Sequence, residues 1–128
     1  MKTGSCLCGA VRFKVDCALK APDACHCVQC RKTSGHYLVG TDVPRKFVEI
    51  SGAQNITWFH SSARVRRGFC STCGSPLFFD PPAKDWIGIA MGAFDLPTET
   101  HIELHIFVGE KGDYYEIGDG LPQYQRIP

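Results

Sequence analysis

The sequence predicts a small all-β fold, and three observations carry that reading. Apolar residues recur at every second position in several short segments. Glycine and proline interrupt the chain about every ten residues, as they do between short strands. No window of helical length keeps an apolar stripe of 3.6-residue period.

Taken in order, Val11, Phe13 and Val15 alternate with Arg12, Lys14 and Asp16, which predicts a half-buried strand. Residues 36–41 and 46–50 predict two more, with a turn around Asp42, Val43 and Pro44 between them. After a turn at Ser51 and Gly52, residues 55–61 predict another. Residues 63–69 run as a strand into Cys70, and residues 75–79 run away from Cys73. Residues 86–92 place Ile87, Ile89 and Met91 on one face, and residues 101–108 do the same for Ile102, Leu104, Ile106 and Val108. The one predicted helical turn is 27–34. There is no internal repeat, low-complexity segment or linker, so residues 1–128 are expected to form a single domain.

Composition excludes several classes of partner. Apolar residues make up 44% and charged residues 21%, ordinary for a globular protein, and the net charge is only +1. A chain this close to neutrality, without a basic stripe interleaved with aromatics, does not predict nucleic-acid binding. Its apolar runs fall far short of the roughly 20 residues of a membrane span. Met1 to Gly4 lead straight into polar and cysteine-bearing sequence, so no export signal is read and a cytoplasmic protein is expected. Oligomeric state is not legible.

The eight cysteines are the chemical content of this sequence. In a reducing compartment they are expected to remain thiols. Seven fall in three clusters: Cys6 and Cys8; Cys25, Cys27 and Cys30; Cys70 and Cys73. Gaps of one or two residues let neighbouring thiolates converge on one ion. The outer clusters each run into glycine, at Gly9 and Gly74, which adopts the positive φ of a tight turn cheaply. Such turns also aim backbone N–H groups at the sulfurs. Cys6, Cys8, Cys70 and Cys73 together make a closed tetrahedral zinc site that would staple the N-terminal segment to the middle of the sheet.

Cys25, Cys27 and Cys30 have no second pair to join, and three readings stay open on the residues alone. One is an open zinc with three thiolates and an exchangeable fourth ligand. The second is a closed site completed by Cys17 or by one of His26, His36, His60, His101 and His105. The third is a metal-free thiol cluster. His26 is a poor fourth ligand in an extended segment, where alternate side chains point to opposite faces. His105 reads as a strand residue with a satisfied ring.

The stretches "GSCLCGAVRFKV", "CHCVQCRKTSG", "FCSTCGSPLFF" and "HIFVGEKGDYYEIGDGLPQY", in this order, resemble the glutathione-dependent formaldehyde-activating enzyme family, whose domain also occurs in centromere protein V. The resemblance implies a β-tent-type fold. It implies two zinc ions per chain, a structural one on Cys6, Cys8, Cys70 and Cys73 and a second on Cys25, Cys27 and Cys30 with an open position beside the substrate. Cys17 has no counterpart in that pattern and is expected to be a free thiol. The implied chemistry is carbon–sulfur lyase chemistry on a thiol–aldehyde adduct, with formation or cleavage of S-hydroxymethylglutathione. Catalysis would run through Cys25, Cys27 and Cys30 and their zinc. Glutathione is the implied small-molecule partner, and its carboxylates call for cations. Arg31 and Lys32 follow the third ligand directly, and Arg64, Arg66 and Arg67 precede Cys70. Tyr37, Trp58 and Phe59 could wall a pocket. A non-catalytic, zinc-stabilised binding module is the alternative function.

Overall fold

The computed structural model describes residues 1–128. The chain is built of ten strands and one short α-helix. The strands are β1 (Lys2–Ser5), β2 (Arg12–Val15), β3 (Asp23–Cys25), β4 (Leu38–Pro44), β5 (Val48–Ser51), β6 (Ile56–His60), β7 (Arg66–Cys70), β8 (Pro76–Asp80), β9 (Trp86–Ala90) and β10 (Leu104–Ile106). The helix α1 (Val28–Ser34) falls between β3 and β4, where the sequence predicts its helical turn. No helix is long and apolar enough to cross a membrane.

The strands form a three-stranded sheet in the order β1-β2-β5 and a seven-stranded sheet in the order β10-β3-β4-β9-β8-β7-β6. The fold is therefore all-β, as predicted. Neighbouring strands of the two sheets pair antiparallel except β10 and β3, which run parallel. A parallel neighbour needs a long connection, and β10 follows β3 only after most of the chain has intervened.

Alternation along each strand gives the large sheet two unlike faces. Thr41 and Val43 of β4, and Ile87 and Ile89 of β9, point inward and are buried. Val43, Ile87 and Ile89 meet Val11, Phe13 and Val15 from the β2 segment in one core. Phe13 sits edge-on to Phe78 and Phe94, with ring centroids 5.9 and 5.1 Å away. The other face carries Cys25, Gly40, Asp42, Arg67, Phe79 and Gly88, and it is this face that lines a cleft.

Two local expectations are corrected, and two strands go unannounced. Asp42, Val43 and Pro44 do not form a turn: β4 continues to Pro44, which pairs with Trp86. Proline has no N–H to donate, so it ends the ladder rather than bending the chain earlier. In residues 101–108 only Leu104–Ile106 is strand, and the face is inverted. His105 is buried while Leu104 and Ile106 are half-exposed, because the ring finds polar partners inside the protein. Finally, β1 and β3 are strands the pattern does not announce. Thr3, Gly4 and Ser5 lack apolar alternation, and β3 has only three residues.

Candidate metal centres and cleft

The first sulfur group assembles where the two sheets meet. Cys6 and Cys8 leave the end of β1, Cys70 ends β7, and Cys73 lies in the turn to β8. Their four Sγ atoms lie within 4.8 Å of one another. Cys6 Sγ is 3.6 Å from Cys8 Sγ, and Cys8 Sγ is 3.7 Å from Cys70 Sγ. A tetrahedron of thiolates about 2.3 Å from zinc has sulfurs about 3.8 Å apart. The group thus fits an ion of that size. β7 lies next to the edge strand β6, so the staple is to the flank of the large sheet and not to its middle.

The turns do what their glycines suggest. Gly9 has φ of 82° and Gly74 has φ of 78°. Within the same turns N–H groups point at sulfur: Val11 N–H donates to Cys6 Sγ at 3.3 Å, and Thr72 and Cys73 N–H donate to Cys70 Sγ at 3.4 and 3.5 Å. Hydrogen bonds from neutral donors offset the negative charge of crowded thiolates.

The second group holds Cys25, Cys27 and Cys30, again with sulfurs within 4.8 Å of one another, and no fourth His, Cys, Asp or Glu joins them. Cys25 ends β3. Cys27 is the N-cap of α1, its Sγ accepting the N–H of Cys30 at 3.3 Å. Cys30 sits one turn in and is buried. The three sulfurs polarise one another. Hydrogen bonding from Cys25, then Cys30, pulls the Cys27 thiol down to about 2, while the bond to Cys27 pushes Cys25 far up. Both groups could hold a metal ion.

Arg67, on β7, reaches this group from across the sheet. Its terminal nitrogens donate to Cys30 Sγ at 3.7 and 3.6 Å and to Gln29 Oε1 at 3.3 Å. Together the second sulfur group and Arg67 form part of the wall of a cleft of about 1110 Å³. Phe59 lines the cleft as well. Arg66 is turned away: it pairs with Asp80 at 2.8 Å and lies 3.9 Å over the Trp58 ring. Arg64 is exposed. Arg31 and Lys32 occupy the last turn of α1 and are not among the cleft-lining residues. Cys17 packs half-buried against the core, outside both sulfur groups.

His26 points away from its two cysteine neighbours, as extended backbone requires. It begins a buried chain of rings. His26 Nε2 lies 2.8 Å from His105 Nδ1, and His105 Nε2 lies 2.7 Å from Asp119 Oδ2. His26 Nδ1 pairs with the Tyr115 hydroxyl. Burial holds the His26 ring down at about 4, so it is neutral near pH 7. An ionised carboxylate can only accept, so His105 donates to Asp119 through Nε2. This network ties the C-terminal segment to the ligand loop. Its members Tyr115 and Asp119 fall in the C-terminal stretch of the family resemblance, but neither strand alternation nor ligand spacing singles them out there.

Residues 1–110 match the family described as glutathione-dependent formaldehyde-activating enzyme. The chain belongs to this family. A Halomonas elongata protein, provisionally named a glutathione-dependent formaldehyde-activating enzyme, is 32% identical over 125 residues, covering 89% of this chain and 79% of the other. A Schizosaccharomyces pombe protein described as an uncharacterized lyase is 30% identical over 76 residues, covering 59% and 55%. A solved Rhodobacter sphaeroides structure superposes with a TM-score of 0.62 at 18% identity, covering 95% of this chain and 98% of that one. The last likeness concerns the fold alone.

Proposed function

We propose that this family member is a zinc-dependent enzyme of carbon–sulfur lyase type that forms and cleaves S-hydroxymethylglutathione. One observation supports the reading above others: three sulfurs, with no fourth protein ligand, sit on the wall of a cleft large enough for a tripeptide. A site meant only to brace the fold is closed by four ligands, as the group of Cys6, Cys8, Cys70 and Cys73 would be. In this reading Cys25, Cys27 and Cys30 hold the catalytic zinc, and the other four cysteines hold the structural one.

Zinc at the second site would lower the pKa of a substrate thiol so that thiolate exists at neutral pH. The protein's own residues confine the two reactants on the open face of the sheet. In the forward direction the sulfur attacks the aldehyde carbon, the carbon–sulfur bond forms, and the thiol proton ends on the former carbonyl oxygen. Cleavage reverses each step, and no oxidant is needed. Arg31 and Lys32 remain our candidates for a glutathione carboxylate that extends past the cleft. The reaction belongs in a reducing, cytoplasmic setting where the thiols stay free.

The test is titration of the cobalt-substituted protein with glutathione beside an assay of glutathione–formaldehyde adduct exchange. The expected result is a shift of the cobalt spectrum and accelerated exchange. If glutathione changes neither, it is not the substrate. If no small thiol changes the spectrum, the chain is a metal-stabilised binding module.

A further inference from the structure

Arg67 is the only lysine or arginine among the buried residues, at 8% exposure. A buried guanidinium normally has a carboxylate beside it, since an unpaired buried charge costs several kcal/mol. Arg67 has none: no salt bridge involves it, although Asp80 on the next strand pairs with both Arg45 and Arg66. Its partners are Cys30 Sγ and the amide oxygen of Gln29, and its Nε has no partner at all. Gln29 is itself held, donating through Nε2 to the carbonyl of Ser61. The guanidinium also lies against the Phe79 ring, 5.1 Å from its centroid. The side chain is therefore locked between α1 and the sheet, with its charge aimed at sulfur and its flank on the cleft.

We infer that Arg67 is the positioning residue that makes the second site accept an incoming sulfur as its anion, by cancelling the charge of the cysteine set. Three thiolates on a dication leave a net −1, and Arg67 returns that to zero. A substrate thiolate then arrives at a neutral site. Without Arg67 the same step would build −2 in a partly buried wall, where charge is poorly screened. The substrate class is any small thiol that binds as thiolate, whether or not it carries carboxylates. This inference rests on the proposed function, because it presumes a metal on Cys25, Cys27 and Cys30. It differs in assigning Arg67 to sulfur and not to a glutathione carboxylate.

The experiment uses the cobalt-substituted full chain and reads the spectral titration, not turnover. Wild type, Arg67→Gln and the exposed control Arg64→Gln are each titrated with glutathione and with 2-mercaptoethanol, which has no carboxylate. The expected result is that Arg67→Gln keeps both metal equivalents and binds both thiols at least about tenfold more weakly, while Arg64→Gln matches wild type. Equal binding by Arg67→Gln and wild type would overturn the inference. So would weakening confined to glutathione, which would make Arg67 a carboxylate ligand. If Arg67→Gln does not fold, Arg67→Lys decides: with the charge kept, 2-mercaptoethanol binding should stay within about threefold of wild type, and a tenfold loss would overturn the inference. A wild-type spectrum that responds to neither thiol would instead fail the proposed function, a separate outcome.

Discussion

Cys8 Sγ lies 3.7 Å from Cys70 Sγ, although the two residues are 62 positions apart in the chain. That contact closes the sulfur group at the junction of the two sheets. Metal binding there is folding free energy, because no such group exists in the unfolded chain. Apparent binding of structural zinc, on the order of 10–16 kcal/mol, matches or exceeds the total stability of an ordinary domain. Cys73→Ser should therefore yield unfolded or insoluble protein, judged by loss of a cooperative melt. A soluble, cooperatively melting variant that retains a metal at the group of Cys6, Cys8 and Cys70 would contradict the structural assignment.

Cys17 offers the opposite case. It packs against the core from a half-buried position and joins neither sulfur group. Cys17→Ala should keep both metal equivalents and cost about 1 kcal/mol or less of stability, the usual range for removing one small, partly buried side chain. Elemental analysis of the purified variant checks this. Loss of one equivalent would mean that Cys17 closes the second site.

Gly52 has φ of 77°, and a Cβ built there would lie 2.0 Å from the carbonyl oxygen of Ala10. Both the backbone strain and the clash act on alanine, and the clash is with main chain that cannot swing aside. Gly52→Ala should lose at least about 2 kcal/mol in urea denaturation. Gly118→Ala, where a Cβ meets nothing within 4 Å, should leave the midpoint almost unchanged.

The hydrogen bond from His105, followed by that from the Leu121 N–H, holds the Asp119 carboxyl below its ordinary value of 3.8. A depressed carboxyl contributes stability that is complete above the ordinary value and is lost as pH falls through the folded one. Asp119→Asn keeps an acceptor for His105 but removes the charge. It should melt below wild type by the same margin at pH 7 and pH 5, with the gap closing only below about pH 3.8. A margin that changes between pH 7 and pH 5 would place the titration on the imidazoles instead.

Elements whose signal is local are legible in the residues alone. Alternation at Val11, Phe13 and Val15 marks an inward strand face, because side chains in a strand change sides at every residue. Cysteines one or two residues apart followed by Gly9 or Gly74 mark ligand turns, because that geometry closes within a few bonds. The family, too, could be recognised from these stretches. The rest depends on residues that meet across the chain once it has folded. Arg64, Arg66 and Arg67 are equivalent as letters, yet strand alternation and one available carboxylate divide them: Asp80 takes Arg66, and Arg67 is left facing Cys30. His105 is a strand residue with a satisfied ring, as its pattern suggests, but the groups that satisfy it and bury it, Asp119 and His26, lie 14 and 79 positions away. A period in the sequence reports which positions share a face. Which face is buried is decided by the partners that satisfy it, and those arrive only when the sheet has closed.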